Sequence, residues 1–131
     1  QKTRLNLGLI LGYVLAPIAW VIGIDWNDSV IAGGLIGQKI VLNEFIAYLQ
    51  LSQTPVGTGP GEISENSRLI LTYALCGFAN FASIAIQIGG IGGIAPERRG
   101  DLARFGLRAV LGGSIATLMT ATIAGVLIHL R

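Results

Sequence analysis

The chain has 131 residues, 52% hydrophobic and only 12% charged, with a formal net charge of +2. A soluble domain carries about 25% charged residues, so the composition points to a polytopic membrane protein, and the small, scattered positive charge argues against a nucleic-acid polymer as partner. Nineteen glycines suit close helix packing in lipid, and the single Cys76 excludes an intrachain disulfide.

The opening Gln1-Lys2-Thr3-Arg4 and the apolar run after it superficially resemble a signal peptide. The run exceeds the ~7–15 residues of an h-region and contains Pro17 and Trp20. The chain therefore reads as a portion of a larger membrane protein. Four apolar segments follow: about Leu5–Ile24 with Pro17 inside it, about Val30–Leu51 with Lys39 and Glu44, about Leu69–Ala95 with Asn80, Ser83 and Gln87, and about Leu107–Leu130, the cleanest span. About 20 apolar residues cross a bilayer as a helix.

The short turn Asp25-Trp26-Asn27-Asp28-Ser29 makes the first two segments antiparallel, with Asp28 or Ser29 as the expected cap of the second. Neither is a clean span. Residues 1–51 are expected to form a re-entrant helical hairpin, whose non-helical tip survives at membrane depth only when buried in protein or lining a water-filled cavity. Residues 52–67, rich in Gly, Pro, Ser and Thr, read as an exposed loop, with Ser64 or Ser67 starting the third helix. Residues 68–95 read as a discontinuous transmembrane helix, 96–106 as a basic connector and 107–131 as the last transmembrane helix. Arg98, Arg99, Arg104 and Arg108 place the connector in the cytoplasm by the positive-inside rule. The 52–67 loop and the C-terminus then face outward, as do Lys2 and Arg4, in mild conflict with that rule.

Glu44 is the residue that most needs a reason, because a charge near the bilayer centre costs roughly 2.5–3.5 kcal/mol. Lys39 is five positions away, a poor helical pairing distance, and is better spaced to meet Asn43. Glu44 is thus free to pair structurally, to accept hydrogen bonds from ligand hydroxyls, or to carry a proton. Asn80 and Ser83 lie at i and i+3, on one helical face. They suit interhelical hydrogen bonding or sugar hydroxyls equally well. Phe78, two residues before Asn80, is core, lipid-facing or an aromatic wall. Gly90-Ile91-Gly92-Gly93-Ile94-Ala95 matches a dinucleotide-binding pattern, but a long apolar helix precedes it where a strand is required, and Pro96 follows. Glycine-mediated packing or unwinding is the better reading. His129 is a lone interfacial histidine. No spacing marks a metal site or a Ser/His/Asp catalytic arrangement, so the chain reads as a non-enzyme with no catalytic residues.

Gly37-x-Lys39-x-x-x-Asn43-Glu44-Phe45-x-Ala47-Tyr48 resembles the signature of the concentrative nucleoside transporters. Ala16-Pro17-Ile18-Ala19-Trp20, Thr72-Tyr73-Ala74-Leu75-Cys76-Gly77-Phe78-Ala79-Asn80-Phe81, and Gln87-Ile88-Gly89-Gly90-Ile91-Gly92 with Ala95-Pro96-Glu97-Arg98-Arg99 agree in the same order. The resemblance covers essentially the whole chain and the C-terminal third or so of a full transporter. It implies an all-α elevator-type membrane transporter, homotrimeric, in the plasma (inner) membrane, coupling nucleoside uptake to a sodium or proton gradient. It implies that Glu44, Asn80 and Ser83 bind the ribose and that Phe78 lies beside the nucleobase. It further implies that the ion ligands and most nucleobase contacts come from another re-entrant hairpin, whose Gln-Thr-Glu motif has no match here; no cofactor is expected. The competing reading is a proton-translocating membrane subunit with Glu44 as carrier carboxylate.

Overall fold

Among the described residues, three of the six α-helices begin on an asparagine whose side chain accepts the amide hydrogen three residues on. In the computed structural model, which describes residues 6–130, Asn6 accepts from Leu9 at 2.7 Å and starts α1 (Leu7–Val21). Asn43 accepts from Ile46 at 3.0 Å and starts α3 (Glu44–Gln53). Asn80 accepts from Ser83 at 2.8 Å and starts α5 (Phe81–Ile94). Such caps satisfy amide donors that the first helical turn leaves unpaired. The remaining helices are α2 (Ser29–Val41), α4 (Glu65–Leu75) and α6 (Arg99–His129), with a 3-10 turn at Pro96–Arg98 before α6. Ser64 caps α4, its hydroxyl accepting from the Ser67 amide at 3.3 Å. The protein is all-helical: among the described residues the only β pairing is an isolated bridge between Val56 and Ile63. Lys2, Arg4 and the start of the first apolar segment at Leu5 lie outside the described residues.

α1 and α2 pack backbone to backbone. A Cβ on Gly33 would stand 2.5 Å from the Gly12 carbonyl oxygen and 2.9 Å from the Ala16 nitrogen, and a Cβ on Gly12 would stand 2.6 Å from the Val30 carbonyl oxygen. Only glycine permits that approach. The core lies between this pair, α3, α4 and the far part of α6. It contains Ala19, Ile24, Ala32, Leu35, Ala47, Leu51, Ile70, Leu71, Leu75 and Ala121. Beyond it, α5 packs mainly against α6, with smaller contacts to the 3-10 turn and α2, and Gly92 is its one buried residue.

α6 is 31 residues long, or about 46 Å at ~1.5 Å per residue. It is the one helix among the described residues long and apolar enough to cross a membrane. Leu107, Leu111, Ile115, Met119, Ile123 and Leu127 are exposed along it, an apolar surface suited to lipid or further protein. It starts at Arg99, not near Leu107 as expected. Pro96 opens the turn, and the connector after it is helical because its glycines and arginines do not interrupt the backbone ladder.

Within residues 6–51 the chain turns twice, where a single hairpin over 1–51 was expected. The turn around Gly23–Asp28 lies at the end of the molecule: Gly23 approaches Ile70 and Gly125, and Asp28 bonds Ser64. The second apolar segment is not one helix. Leu42 leaves helical geometry (φ −100°, ψ −92°) and Asn43 starts α3. α3 then folds back along α2, so that Ile31 shares a hollow with Leu49, Gln50, Gln53 and Thr54. The third segment is interrupted at Cys76–Asn80, upstream of its glycine cluster. Gly89, Gly90, Gly92 and Gly93 all remain helical within α5.

Candidate substrate site at two helix breaks

The two interruptions, Leu42–Asn43 and Cys76–Asn80, meet beside the middle of α6. Lys39 Nζ donates to Thr117 Oγ1 at 3.1 Å. A Cβ on Gly77 would touch Thr117 Cγ2, and one on Gly113 would lie 2.9 Å from Ala79 Cβ. Asn80 Nδ2 donates to Glu44 Oε2 at 3.1 Å. This contact joins the first residue of α3 to the cap of α5, so two helix N-termini converge on one carboxylate. Their unpaired amides and positive dipole ends favour an anion there. Glu44 is half-buried, while Asn80 is only 2% exposed.

Asn80 and Ser83 meet in a cap, where their i, i+3 spacing implied a shared helical face. Asn80 lies outside the helix in extended geometry (φ −146°, ψ 167°). The Ser83 hydroxyl lies 2.9 Å from Asn80 Oδ1 and also within bonding distance of the Phe78 carbonyl, to which it donates. Asn80 thus uses its carbonyl oxygen to hold α5 and its amide to hold Glu44. The free face of the carboxylate remains an acceptor for ligand hydroxyls.

Phe78 stands apart from this contact. Its ring is 77% exposed, and it lines a cleft of about 290 Å³ with Ser83, Ile84, Gln87 and Val110. Ser83 belongs to both places and connects the carboxylate side to the aromatic side.

The lysine is placed otherwise than its spacing implied. Asn43 is occupied in capping α3, and Lys39 reaches across to Thr117. Among the described residues, Arg98 with Asp101 forms the one ion pair, at 3.1 Å. Glu44 therefore has an amide partner, and the residue the sequence reading missed was Thr117. Nothing in the apolar run around position 117 of α6 marks it. Tyr48, one turn along α3 from Glu44, donates from its hydroxyl to the Thr72 carbonyl at 2.6 Å and pins α3 to α4. Among the described residues no cluster of His, Cys, Asp and Glu is arranged to hold a metal ion.

Residues 1–125 match the family model described as Na+ dependent nucleoside transporter C-terminus. The chain is 53% identical over 123 residues to an uncharacterized transporter, YutK, of Bacillus subtilis, covering 94% of this chain and 29% of that protein. It is 48% identical over 128 residues to the nucleoside permease NupC of Helicobacter pylori, covering 98% and 31%. It also matches the solved structure of CNTnw in an inward-facing substrate-bound state, with a TM-score of 0.89 and 46% identity over 97% of this chain and 31% of that one. The chain thus spans under a third of the length of these relatives. Matched along nearly its whole length by the family model and by relatives of this kind, the chain belongs to the Na+ dependent nucleoside transporter C-terminal family.

Proposed function

We propose that the chain is the C-terminal segment of a cation-coupled nucleoside symporter and supplies the ribose-binding half of its substrate site. The contact of Asn80 Nδ2 with Glu44 Oε2 carries this reading. It presents an oriented carboxylate at the meeting of two helix ends. Ribose hydroxyls are donors, and a carboxylate accepts from them through charge-assisted bonds. A substrate lacking the hydroxyls leaves buried acceptors unpaired and is rejected. Ser83 adds a hydroxyl, and Phe78 offers the cleft beside it an aromatic face for the base.

In this reading α2 and α3 form a re-entrant hairpin with its tip at Leu42–Asn43, α4 and α5 are the halves of a discontinuous transmembrane helix, and α6 crosses the bilayer. Broken helices that meet near the midplane are how secondary transporters build such sites. The transporter is a homotrimer of the inner membrane, with elevator-like motion of the domain that holds α2 to α6. The coupling ion is sodium, in line with the family description, and its ligands lie outside this segment. A proton-carrier role for Glu44 leaves the Asn80 contact and the double helix break without a purpose.

The test is uridine uptake by the transporter carrying this segment. Glu44→Gln and Asn80→Ala are expected to reduce uptake sharply at unchanged surface expression. Normal uptake in both variants overturns the reading.

A further inference from the structure

Lys39 is 1% exposed, the bulkiest of the fully buried side chains. Its ammonium has three hydrogens and one hydrogen-bond partner among the described residues, the neutral hydroxyl of Thr117. That hydroxyl donates in turn to the Ser114 carbonyl at 2.9 Å. Its hydrogen is therefore committed to α6, and its lone pair faces Lys39. A buried ammonium without a carboxylate against it is costly to maintain, and the site proposed above has no evident use for it.

Its position indicates the use. Lys39 lies in the last turn of α2, three residues before the Leu42–Asn43 break, and Glu44 lies just after that break. Thr117 packs against Gly77, three residues before Asn80. The link from Lys39 to Thr117 therefore fastens one side of the α2/α3 break to α6, at the level where α6 touches the other break. Glu44 and Cys76 are the charged or titratable groups within electrostatic reach of the ammonium. No ion pair joins Lys39 to Glu44 among the described residues, so the lysine bears on the carboxylate through the position of the break between them.

We propose that Lys39, anchored by Thr117, is a positioning residue for the substrate site: it fixes the α2/α3 break against α6 and so sets where Glu44 presents its carboxylate to ligand hydroxyls. Lys39 touches no ligand in this arrangement; it acts through Glu44. The proposal rests on the ribose reading above.

The test is equilibrium binding of uridine, and of 2′,3′-dideoxyuridine, to the purified transporter carrying this segment. The variants are Lys39→Met, Thr117→Val, Thr117→Ser, Glu44→Gln and the double variant of Lys39→Met with Glu44→Gln. Lys39→Met and Thr117→Val are each expected to weaken uridine binding about tenfold while leaving the dideoxy analogue within about twofold. Thr117→Ser, which keeps the hydroxyl, restores parental binding. Lys39→Met adds nothing once Glu44→Gln is present. Equal weakening of both ligands, or full additivity with Glu44→Gln, overturns the role of Lys39 and leaves the ribose reading standing. Unchanged uridine binding in Glu44→Gln removes the ribose reading itself. If Lys39→Met does not fold, the nearly isosteric Thr117→Val decides alone.

Discussion

Asp28 accepts two hydrogen bonds from Ser64, one from its backbone amide at 3.1 Å and one from its hydroxyl at 2.7 Å, across 36 residues of chain. The same hydroxyl accepts from the Ser67 amide at the start of α4. One carboxylate therefore ties the turn between α1 and α2 to the cap of α4. Asp28 is 7% exposed and Ser64 half-buried, so its loss takes the carboxylate from both Ser64 donors. Asp28→Ala is expected to destabilise the protein by about 1.5–3 kcal/mol, the range for hydrogen bonds to a charged group. Asp28→Asn keeps an acceptor oxygen and loses less. Thermal unfolding of the two variants in detergent checks the order.

That clasp was not legible in the sequence, and the reason is physical. Asp28 next to Ser29 has the composition of a helix cap, yet neither side chain caps α2. Asp28 serves another helix, and Ser29 donates to the Asp25 carbonyl at 3.0 Å. Local chemistry identified the residue type and tertiary contact chose its partner. Hydropathy likewise located the four apolar segments but missed the break at Leu42–Asn43, because an interruption of two residues hardly changes an average over twenty. The available signal was the pair Asn43-Glu44, a capping side chain followed by an acidic residue in the first turn. At Asn80 the capping side chain stands without an acidic residue after it, inside a motif already singled out. Glu44 and Asn80 could be picked out separately from residue type and resemblance. Their contact required two breaks to arrive at one level beside α6, which no local pattern encodes.

The glycines divide into those that cannot change and those that can. A Cβ at Gly33 meets backbone atoms of α1 at 2.5 and 2.9 Å, and two packed helices cannot yield without separating. Gly33→Ala is expected to cost about 3 kcal/mol or more, at the upper end of overpacking. A Cβ at Gly92 comes as close, 2.6 Å, but to the stem of Arg99. That side chain swings away, at the cost of the Arg99 Nε bond to the Gly92 carbonyl at 3.0 Å. Gly92→Ala is expected to cost about 1 kcal/mol, one ordinary hydrogen bond. Unfolding midpoints of the two variants, measured side by side, separate backbone from side-chain crowding.

The arginines give the topology a direct test. Arg98, Arg99, Arg104 and Arg108 cluster at the start of α6, at the end of the molecule away from the loop that holds Thr58. With Cys76→Ser as background, Thr58→Cys and Gly100→Cys each place a thiol at an exposed position. The positive-inside rule puts position 100 in the cytoplasm. A membrane-impermeant maleimide is expected to label position 58 in intact cells and position 100 only after permeabilisation. Labelling of both in intact cells removes the proposed orientation.

Asn80 does two jobs, and substitutions separate them. Its carbonyl oxygen caps α5 through the Ser83 amide, and its amide nitrogen holds Glu44. Asn80→Ser keeps a capping oxygen, so it should lose less stability than a variant without one. It removes the donor to the carboxylate, and a bond to a charged group contributes about 1.5–3 kcal/mol. Uridine binding is therefore expected to fall about tenfold, and the unfolding midpoint to drop by the loss of the Glu44 bond alone. Asn80→Ala removes both functions and should lower the midpoint by a further ~1 kcal/mol equivalent. Asn80→Asp keeps the cap but sets a second carboxylate against Glu44, and like charges at that separation repel. It should bind as poorly as Asn80→Ser and be less stable. Calorimetric binding and thermal unfolding on the three variants give the two orders independently. Parental affinity in Asn80→Ser would mean that Glu44 presents itself to the ligand without the amide, and that Asn80 matters to the site only as the cap of α5.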